Sequence, residues 1–213
     1  MSKIFLFQGD SITDAGRARD NDIDLGYGYA RLTEAELSAK YPEEYKFLNR
    51  GISGNRIVDV YARIKSDIIN LKPDYLSILI GINDVWHEES RQNGVDAEKF
   101  ELIYDLMLKE IKTALPDVKI MILEPFVLPG SATVSTEESP ERWEFFKRET
   151  PLRAEASRRI AKKHGCVFIP LQAKLDEADA RHPGIWLRDG VHPSAAGAYL
   201  IKEELIRAFE GIR

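Results

Sequence analysis

Short apolar runs alternate with longer amphipathic stretches along this chain. Five of the runs are aliphatic or aromatic and are flanked by Gly, Pro, Asp or Asn, which is typical of β-strands. The run Tyr75–Ile80 is apolar at nearly every position, as in a strand that is covered on both faces within a parallel sheet. The predicted strands are Ile4–Phe7, Tyr45–Leu48, Tyr75–Ile80, Val118–Leu123 and Cys166–Ile169.

Four stretches between or after these runs have the spacing of amphipathic helices. One of them places apolar residues every three or four positions along a single stripe, and Pro116 closes it. Gly165 stands where it would end another helix, directly before the fifth predicted strand. The stripe consists of Phe100, Ile103, Met107, Ile111 and Ala114, and the other predicted helices are Arg56–Leu71, Pro140–His164 and Pro193–Phe209.

This alternation predicts an α/β fold built from βαβ units with right-handed crossovers. We expect one domain, residues 1–213, arranged as a three-layer α/β/α sandwich around a five-stranded parallel sheet. A chain of 213 residues is long enough for a sizeable hydrophobic core. Two polar connections, Thr13–Leu25 and Pro125–Ser139, are long for a compact domain, so we expect both to border the active site.

Net charge indicates which partners suit the chain, and cysteine content indicates which cellular compartment does. A formal net charge of -5 argues against a basic groove for nucleic acid. The single cysteine, Cys166, rules out an intramolecular disulfide and suits a reducing compartment. The run Ile4–Phe7 is too short for a signal-peptide core, and no stretch approaches the ~18 apolar residues of a membrane helix. We expect a cytoplasmic protein, unless an upstream leader has been removed, without a membrane or nucleic-acid partner; its surface permits a homo-oligomer without specifying one.

Candidate chemistry is concentrated in four polar segments that contain glycine. Three of them follow the first three predicted strands, and the fourth lies near the carboxyl terminus. Because ligands of open α/β sheets bind beyond the carboxyl ends of the strands, we expect the four to meet at one edge. They are Gly9–Thr13, Asn49–Asn55, Gly81–Asp84 and Asp189–Pro193.

Together these segments contain the groups that acyl transfer requires. Ser11 can act as nucleophile if a neighbouring base, His192, accepts its proton. Asp189, three residues before the histidine, can fix the imidazole tautomer. An oxyanion needs hydrogen-bond donors, and the backbone N–H groups of Ser11 and Gly54 and the amide of Asn83 can supply them.

The four segments resemble the SGNH-hydrolase superfamily, also called the GDSL esterases. Its four named residues match Ser11, Gly54, Asn83 and His192, in the family's order, and the match spans almost the whole chain. The family name has leucine after the serine, where this chain has Ile12, a packing position. The resemblance implies the flavodoxin-like SGNH-hydrolase fold and a serine esterase that uses neither a metal nor another cofactor.

Within the superfamily, the strings GDSITDAGRAR, NRGISGN and IGINDVW are similar to intracellular acetyl-xylan esterases. The expected substrate is therefore a small acetylated sugar. Tyr27, Trp86 and Trp186 are candidates to stack on it, and Arg56, directly after the second segment, is a candidate to hydrogen-bond to it. Each tryptophan could equally be core or interface packing.

Structural alternatives exist for the catalytic candidates as well. Ser11 alone could be a helix N-cap, and Asp189 could simply cap the turn that holds His192. Asn83 could satisfy its own backbone in a turn. Asp10 is interpreted as a residue that orients its loop and is not assigned a catalytic role. The convergence of all four segments, more than any one of them, favours catalysis.

Other functions remain open beside a carbohydrate O-acetyl esterase. A lysophospholipase, thioesterase or arylesterase of the same superfamily would share the chemistry but need a longer apolar acyl channel. A metal-dependent phosphoesterase could use Asp10, Asp189 and His192 as ligands, although two-metal sites usually have several histidines and carboxylates. A third class is a sugar-binding domain of the same fold that does not catalyse.

Overall fold

A five-stranded parallel sheet forms the centre of the protein in the computed structural model, which describes residues 2–213. Its strands are β1 (Lys3–Gly9), β2 (Tyr45–Asn49), β3 (Tyr75–Leu79), β4 (Lys119–Leu123) and β5 (Val167–Ile169). Their order across the sheet is β2-β1-β3-β4-β5, and every neighbouring pair is parallel. The α/β fold class predicted from the sequence is confirmed.

Alternate side chains of each strand enter two separate hydrophobic cores. In β1, Phe5 and Phe7 belong to the first core, whereas Leu6 between them belongs to the second. All five residues of β3 are buried. This confirms that the strand predicted at Tyr75–Ile80 is covered on both faces, because two layers of helices flank the sheet.

Helices cover both faces of the sheet. They are α1 (Ser11–Asp14), α2 (Tyr29–Lys40), α3 (Ile57–Ala62), α4 (Ile64–Asp67), α5 (Ile82–Arg91), α6 (Ala97–Ala114), α7 (Arg142–His164), α8 (Gln172–Arg181) and α9 (Ala195–Glu210). Helices α2, α8 and α9 contribute buried residues to the first core, and α3, α4 and α6 to the second. None of the helices within residues 2–213 is both long enough and apolar enough to cross a membrane.

The single helix predicted over Arg56–Leu71 is wrong. The structure divides this stretch into α3, α4 and a 3₁₀ turn at Ile69–Leu71. The break falls at Arg63, whose φ of -119° and ψ of 13° leave the helical region. The guanidinium of Arg63 donates to the side chain of Asn55 and to the C=O of Arg50. These tertiary hydrogen bonds are made by the residue at which the helix is interrupted, and apolar spacing alone does not reveal them.

The other predicted helices are found with small changes at their ends. Gly165 ends α7 in the left-handed conformation, with φ of 61°, as the sequence predicted. Helix α9 begins two residues after Pro193, because the hydroxyl of Ser194 accepts the N–H of Gly197 and caps it. Helices α2, α5 and α8 were not predicted from the sequence. Helix α2 buries four residues, one of them Thr33, so no clear apolar stripe marks it.

Candidate active site

The four polar segments meet at the carboxyl edge of the sheet. Ser11 directly follows β1 and its connecting residue Asp10, and the turn Asp189–Pro193 reaches the same place from the far end of the chain. The Ser11 Oγ lies 2.8 Å from the Nε2 of His192. The candidate nucleophile and the candidate base, separated by 181 positions in the sequence, are therefore within hydrogen-bond distance.

The carboxylate of Asp189 holds the histidine in two ways. Its Oδ2 lies 2.7 Å from the Nδ1 of His192. Its Oδ1 accepts the backbone N–H groups of Val191 and His192, at 3.0 and 2.8 Å. With Nδ1–H donating to Asp189, the Nε2 of His192 carries the lone pair and can accept the proton of Ser11. Asp189 thus caps the turn and orients the imidazole at the same time.

His192 and Asp189 shift each other's pKa. The hydrogen bond from His192 to Asp189 raises the pKa of the imidazole above 6.5, and this effect exceeds that of burial, which lowers it. Burial raises the pKa of Asp189, but hydrogen bonds from the side chain and backbone of His192 and from the backbone of Val191 outweigh it and lower the pKa to about 2. The aspartate is therefore ionised at neutral pH and stabilises the protonated imidazole.

Asp10 performs the capping role that Ser11 could have had. The Oδ1 of Asp10 accepts the N–H of Ile12 at 3.0 Å and caps α1. Ser11 is the first residue of that helix, and its hydroxyl is directed to His192 instead. Asp10 is completely buried, and burial raises its pKa to about 7. It supports the turn, in agreement with the interpretation of the sequence.

The candidate oxyanion donors come from both sides of Ser11. Gly54 follows β2 and Asn83 follows β3, and these are the two strands that flank β1 in the sheet. Gly54 has φ of +82°, a conformation that favours glycine. Asn83 is 6% exposed, and its Nδ2 donates to the C=O of Asn55 at 3.2 Å. This bond uses one of the two amide N–H groups and orients the other; Asn83 does not bond to its own backbone.

Buried polar side chains that sequence reasoning missed join the segments to one another. The Nδ2 of Asn49 donates to the C=O groups of Thr13 and Leu25, at 2.6 and 3.1 Å. The Oδ2 of Asp14 accepts both the N–H and the hydroxyl of Ser53, at 2.9 and 2.8 Å. The signal for Asn49 was its place inside a polar segment, and the signal for Asp14 was its place in the polar connection Thr13–Leu25. Spacing did not show what either side chain would bind.

Asp84 links α5 to α3. Its two carboxylate oxygens accept the N–H of Ile57 at 3.0 and 3.2 Å. The side chain is completely buried, and this burial raises its pKa well above the ordinary value. Asp84 therefore holds the helices behind Asn83 together.

The connection Pro125–Ser139 packs against the turn that carries His192. The N–H of Leu128 donates to the C=O of Gly190, and the N–H of Ala132 donates to the C=O of Asp189, both at 2.9 Å. A Cβ at Gly130 would lie 2.2 Å from the backbone nitrogen of Gly190, so only glycine allows this close approach. The expectation that this long connection borders the site is confirmed.

A cleft of about 620 Å³ opens over Ser11 and His192. Ala15 and Gly16, from the long connection Thr13–Leu25, form part of its wall, which confirms that this connection also borders the site. The other lining residues bring hydroxyl, aromatic and cationic groups to the cleft. They include Tyr27, Ser53, Arg188 and Ser194.

Of the four predicted sugar-binding residues, only Tyr27 lies in the cleft wall, and its side chain is 64% exposed. Trp86 lies beside His192, with 5.9 Å between the two ring centroids. It also makes an edge-on contact with Phe146, with centroids 6.1 Å apart. Trp86 is thus placed to pack against the imidazole.

Arg56 and Trp186 are not among the residues that line the cleft. Both the N–H and the guanidinium of Arg56 donate to Asp59, and the guanidinium also donates to Asn93. Trp186 packs against the first core, and its C=O accepts the N–H of Ser194. Arg188, which directly precedes Asp189 in the chain, does line the cleft, although it was not predicted from the sequence.

The ligands required by a metal-dependent phosphoesterase are used for other contacts. Both oxygens of Asp189 hold the histidine turn, and one oxygen of Asp10 caps α1. Across residues 2–213, no three His, Cys, Asp or Glu side chains are grouped so that they could hold a metal ion. The hydrogen-bonded Ser11, His192 and Asp189 are therefore the candidate reactive groups.

Fold and site together define a hydrolase, and comparison with known proteins agrees. The profile of the GDSL-like Lipase/Acylhydrolase family matches residues 7–200, so this chain belongs to that family. It is 35% identical to the acetylxylan esterase of Geobacillus stearothermophilus, over 98% of this chain and 95% of the relative. The family resemblance inferred from the four polar segments is confirmed.

Solved structures show the same architecture over the full length. The crystal structure of Axe2, an acetylxylan esterase from Geobacillus stearothermophilus, has a TM-score of 0.82 and 32% identity, covering 97% of this chain and 93% of that one. A putative GDSL-like lipase from Parabacteroides merdae has a TM-score of 0.88 and 33% identity, covering 99% and 97%. Further Axe2 structures are of catalytic mutants in which a serine, an aspartate or a histidine is replaced by alanine.

Proposed function

We propose that this protein removes O-acetyl groups from small carbohydrates, with acetylated xylo-oligosaccharides as its substrates. The observation that carries the proposal is the chain of hydrogen bonds from Ser11 through His192 to Asp189, at 2.8 and 2.7 Å, beside an open cleft. The substrate class is supported by the similarity to an acetylxylan esterase over 98% of the chain. The single cysteine, Cys166, suits the reducing cytoplasm, where we propose that the protein acts.

In the first step of the reaction, the Oγ of Ser11 attacks the acetyl carbonyl carbon while its proton passes to the Nε2 of His192. Asp189 stabilises the resulting imidazolium. The negative charge on the carbonyl oxygen is met by the N–H groups of Ser11 and Gly54 and by the amide of Asn83. When the C–O bond to the sugar breaks, His192 protonates the departing sugar oxygen, and the acetyl group remains on Ser11.

In the second step, water takes the place of the sugar. Neutral His192 accepts a proton from the water while the water oxygen attacks the carbonyl carbon of acetyl-Ser11. The second tetrahedral intermediate uses the same donors as the first. As it collapses, the bond between the acetyl carbon and the Oγ of Ser11 breaks, His192 returns its proton to the Oγ, and acetic acid leaves and gives its own proton to solvent as acetate. The protein therefore ends the cycle unchanged.

A comparison of esters with different acyl-chain lengths tests the proposal that the enzyme removes acetyl groups. We expect kcat/KM for p-nitrophenyl acetate to exceed that for p-nitrophenyl octanoate at least about tenfold, and acetylated xylo-oligosaccharides to release acetate efficiently. A serine-directed fluorophosphonate should label Ser11 and stop turnover, while EDTA should not. A marked preference for octanoate would overturn the acetyl assignment and favour a lysophospholipase or thioesterase.

The raised pKa of His192 predicts the acid side of the pH profile. The base must be neutral to accept the proton of Ser11, so activity is lost as pH falls through the pKa of the imidazole. Because Asp189 raises that pKa above 6.5, we expect the acid midpoint of kcat/KM above 6.5. Hydrolysis of p-nitrophenyl acetate from about pH 5 to about pH 9 measures it. A midpoint clearly below the ordinary histidine value would show that Asp189 does not act on His192 in this way.

Removing the amide of Asn83 tests the oxyanion donors. We expect Asn83→Ala to lower kcat roughly 10²–10³-fold with little change in KM, because the lost hydrogen bond forms to the charge that develops in the transition state. Steady-state kinetics with p-nitrophenyl acetate measure both constants. Asn70→Ala, which removes an exposed amide outside the site, is the matched control. Equal kcat values for the two variants would remove Asn83 from the mechanism.

A further inference from the structure

Arg188 lies in the wall of the cleft, and its contacts are with neutral groups. Its Nε donates to the C=O of Pro193 at 3.1 Å. Its guanidinium carbon lies 5.2 Å from the centre of the Tyr27 ring, and its Nη2 is 3.5 Å from the Tyr27 hydroxyl. No carboxylate of residues 2–213 comes within 4.0 Å of the guanidinium. The positive charge is therefore positioned without being neutralised.

The backbone holds this side chain next to the reacting groups. The N–H of Arg188 donates to the C=O of His192 at 2.8 Å. The preceding residue, Leu187, forms an antiparallel bridge with Pro193. Tyr27 is 161 positions away in the sequence, and its exposed ring lies against the same guanidinium. Two separate segments therefore support the Arg188 side chain. Ser11, His192 and Arg188 line one cleft, so a substrate whose acetyl group reaches Ser11 can extend to the guanidinium.

The free donors of Arg188 suit a carboxylate. Of its five guanidinium N–H groups, the Nε–H has an acceptor, and one on Nη2 has a long contact with Tyr27. The remaining N–H groups can form the paired hydrogen bonds by which arginine recognises a carboxylate. Stacking on an aromatic ring orients the guanidinium and leaves its charge intact. The protein as a whole has a net charge of -5, so a local cation is needed if an acidic substrate is to bind.

We propose that Arg188 binds the carboxylate of a hexuronic acid unit, so that the enzyme prefers acidic acetylated oligosaccharides to neutral ones. This inference rests on the proposed carbohydrate esterase function and adds a specificity-determining residue to it. Arg188 forms no bond in the reaction. It acts on substrate binding, with Tyr27 as the residue that positions it.

The test compares a matched pair of substrate preparations. One is a set of acetylated xylo-oligosaccharides that carry hexuronic acid branches; the other is the same set with each carboxyl converted to a neutral methylamide. We expect kcat/KM to be roughly tenfold higher for the acidic set, mainly through a lower KM, and the ratio to shrink in about 0.5 M NaCl. Arg188→Gln should bring the ratio to about one, and Arg188→Lys should retain part of it.

The control is Arg207→Gln, which removes the same charge from an exposed position on α9 outside the cleft and should keep the wild-type ratio. A wild-type ratio near one, or a ratio that Arg188→Gln leaves unchanged, would overturn the inference. If Arg188 only supports the fold, both substrates will lose activity equally and the ratio will persist. A different result would show that the proposed carbohydrate esterase function itself is wrong. In that case p-nitrophenyl acetate is hydrolysed, but neither oligosaccharide set is deacetylated.

Discussion

Ser11→Ala should reduce kcat for p-nitrophenyl acetate at least about 10⁴-fold. The substitution removes the Oγ that lies 2.8 Å from the Nε2 of His192, and with it the atom that would carry the acetyl group. The helix should be unaffected, since Asp10 and not Ser11 caps α1. Steady-state kinetics measure the loss, and mass spectrometry after fluorophosphonate treatment should show no labelled protein.

Ser38→Ala is the matched control for this experiment, because Ser38 is an exposed serine of α2 outside the site. Its kcat and its labelling should equal those of the wild type. The melting temperatures of both variants should stay close to the wild-type value, so that lost turnover reports chemistry and not unfolding. If Ser11→Ala kept more than about 1% of the wild-type kcat, Ser11 would not be the nucleophile.

Asp189→Asn should lower kcat roughly 10³–10⁴-fold and also move the acid side of the pH profile to lower pH. An amide nitrogen facing Nδ1 of His192 favours the tautomer with the proton on Nε2, which then cannot accept the proton of Ser11. The pH shift follows because the carboxylate that raises the pKa of the imidazole is gone. The full profile of kcat/KM, measured for the variant and the wild type, checks both effects.

Asparagine is the informative replacement at this position. The side-chain oxygen that remains can still accept the N–H groups of Val191 and His192, so the turn should keep its shape. Asp117→Asn, at an exposed site before β4, controls for the loss of one negative charge. Near-native kcat in Asp189→Asn, with an acid midpoint that does not move, would show that the aspartate only caps the turn.

Local patterns were enough to predict the sheet. An apolar run such as Tyr75–Ile80 is needed wherever a strand is buried on both faces, and that requirement is visible without any knowledge of neighbouring strands. Gly165 likewise ended its helix as expected, because a left-handed residue at a helix end is a local requirement. Three of the four polar segments were found for a related reason: each follows a strand, and parallel strands bring their carboxyl ends to one edge.

The predictions that depended on long-range contacts were less successful. The helix over Arg56–Leu71 is broken where Arg63 bonds to residues outside it. Arg56, predicted to face the substrate, instead has its donors occupied by Asp59 and Asn93. Arg188 carries the same type of side chain but lies in the cleft wall. Sequence spacing cannot show which of Arg56 and Arg188 is available to a substrate, because that depends on the residues that the fold places around each guanidinium.

The α/β class, the strand positions and the candidate groups for acyl transfer could all be inferred from the sequence, because strand burial and turn chemistry act over a few neighbouring residues. How those groups are arranged is seen only in the folded protein: Asp10 caps the helix while the adjacent Ser11 faces His192, and the carboxylate of Asp189 holds both its own turn and the imidazole. The contact between Ser11 and His192 spans 181 positions of the chain, so it forms only when both cores pack against the sheet. With it, the hydroxyl of Ser11 serves the imidazole and does not cap the helix.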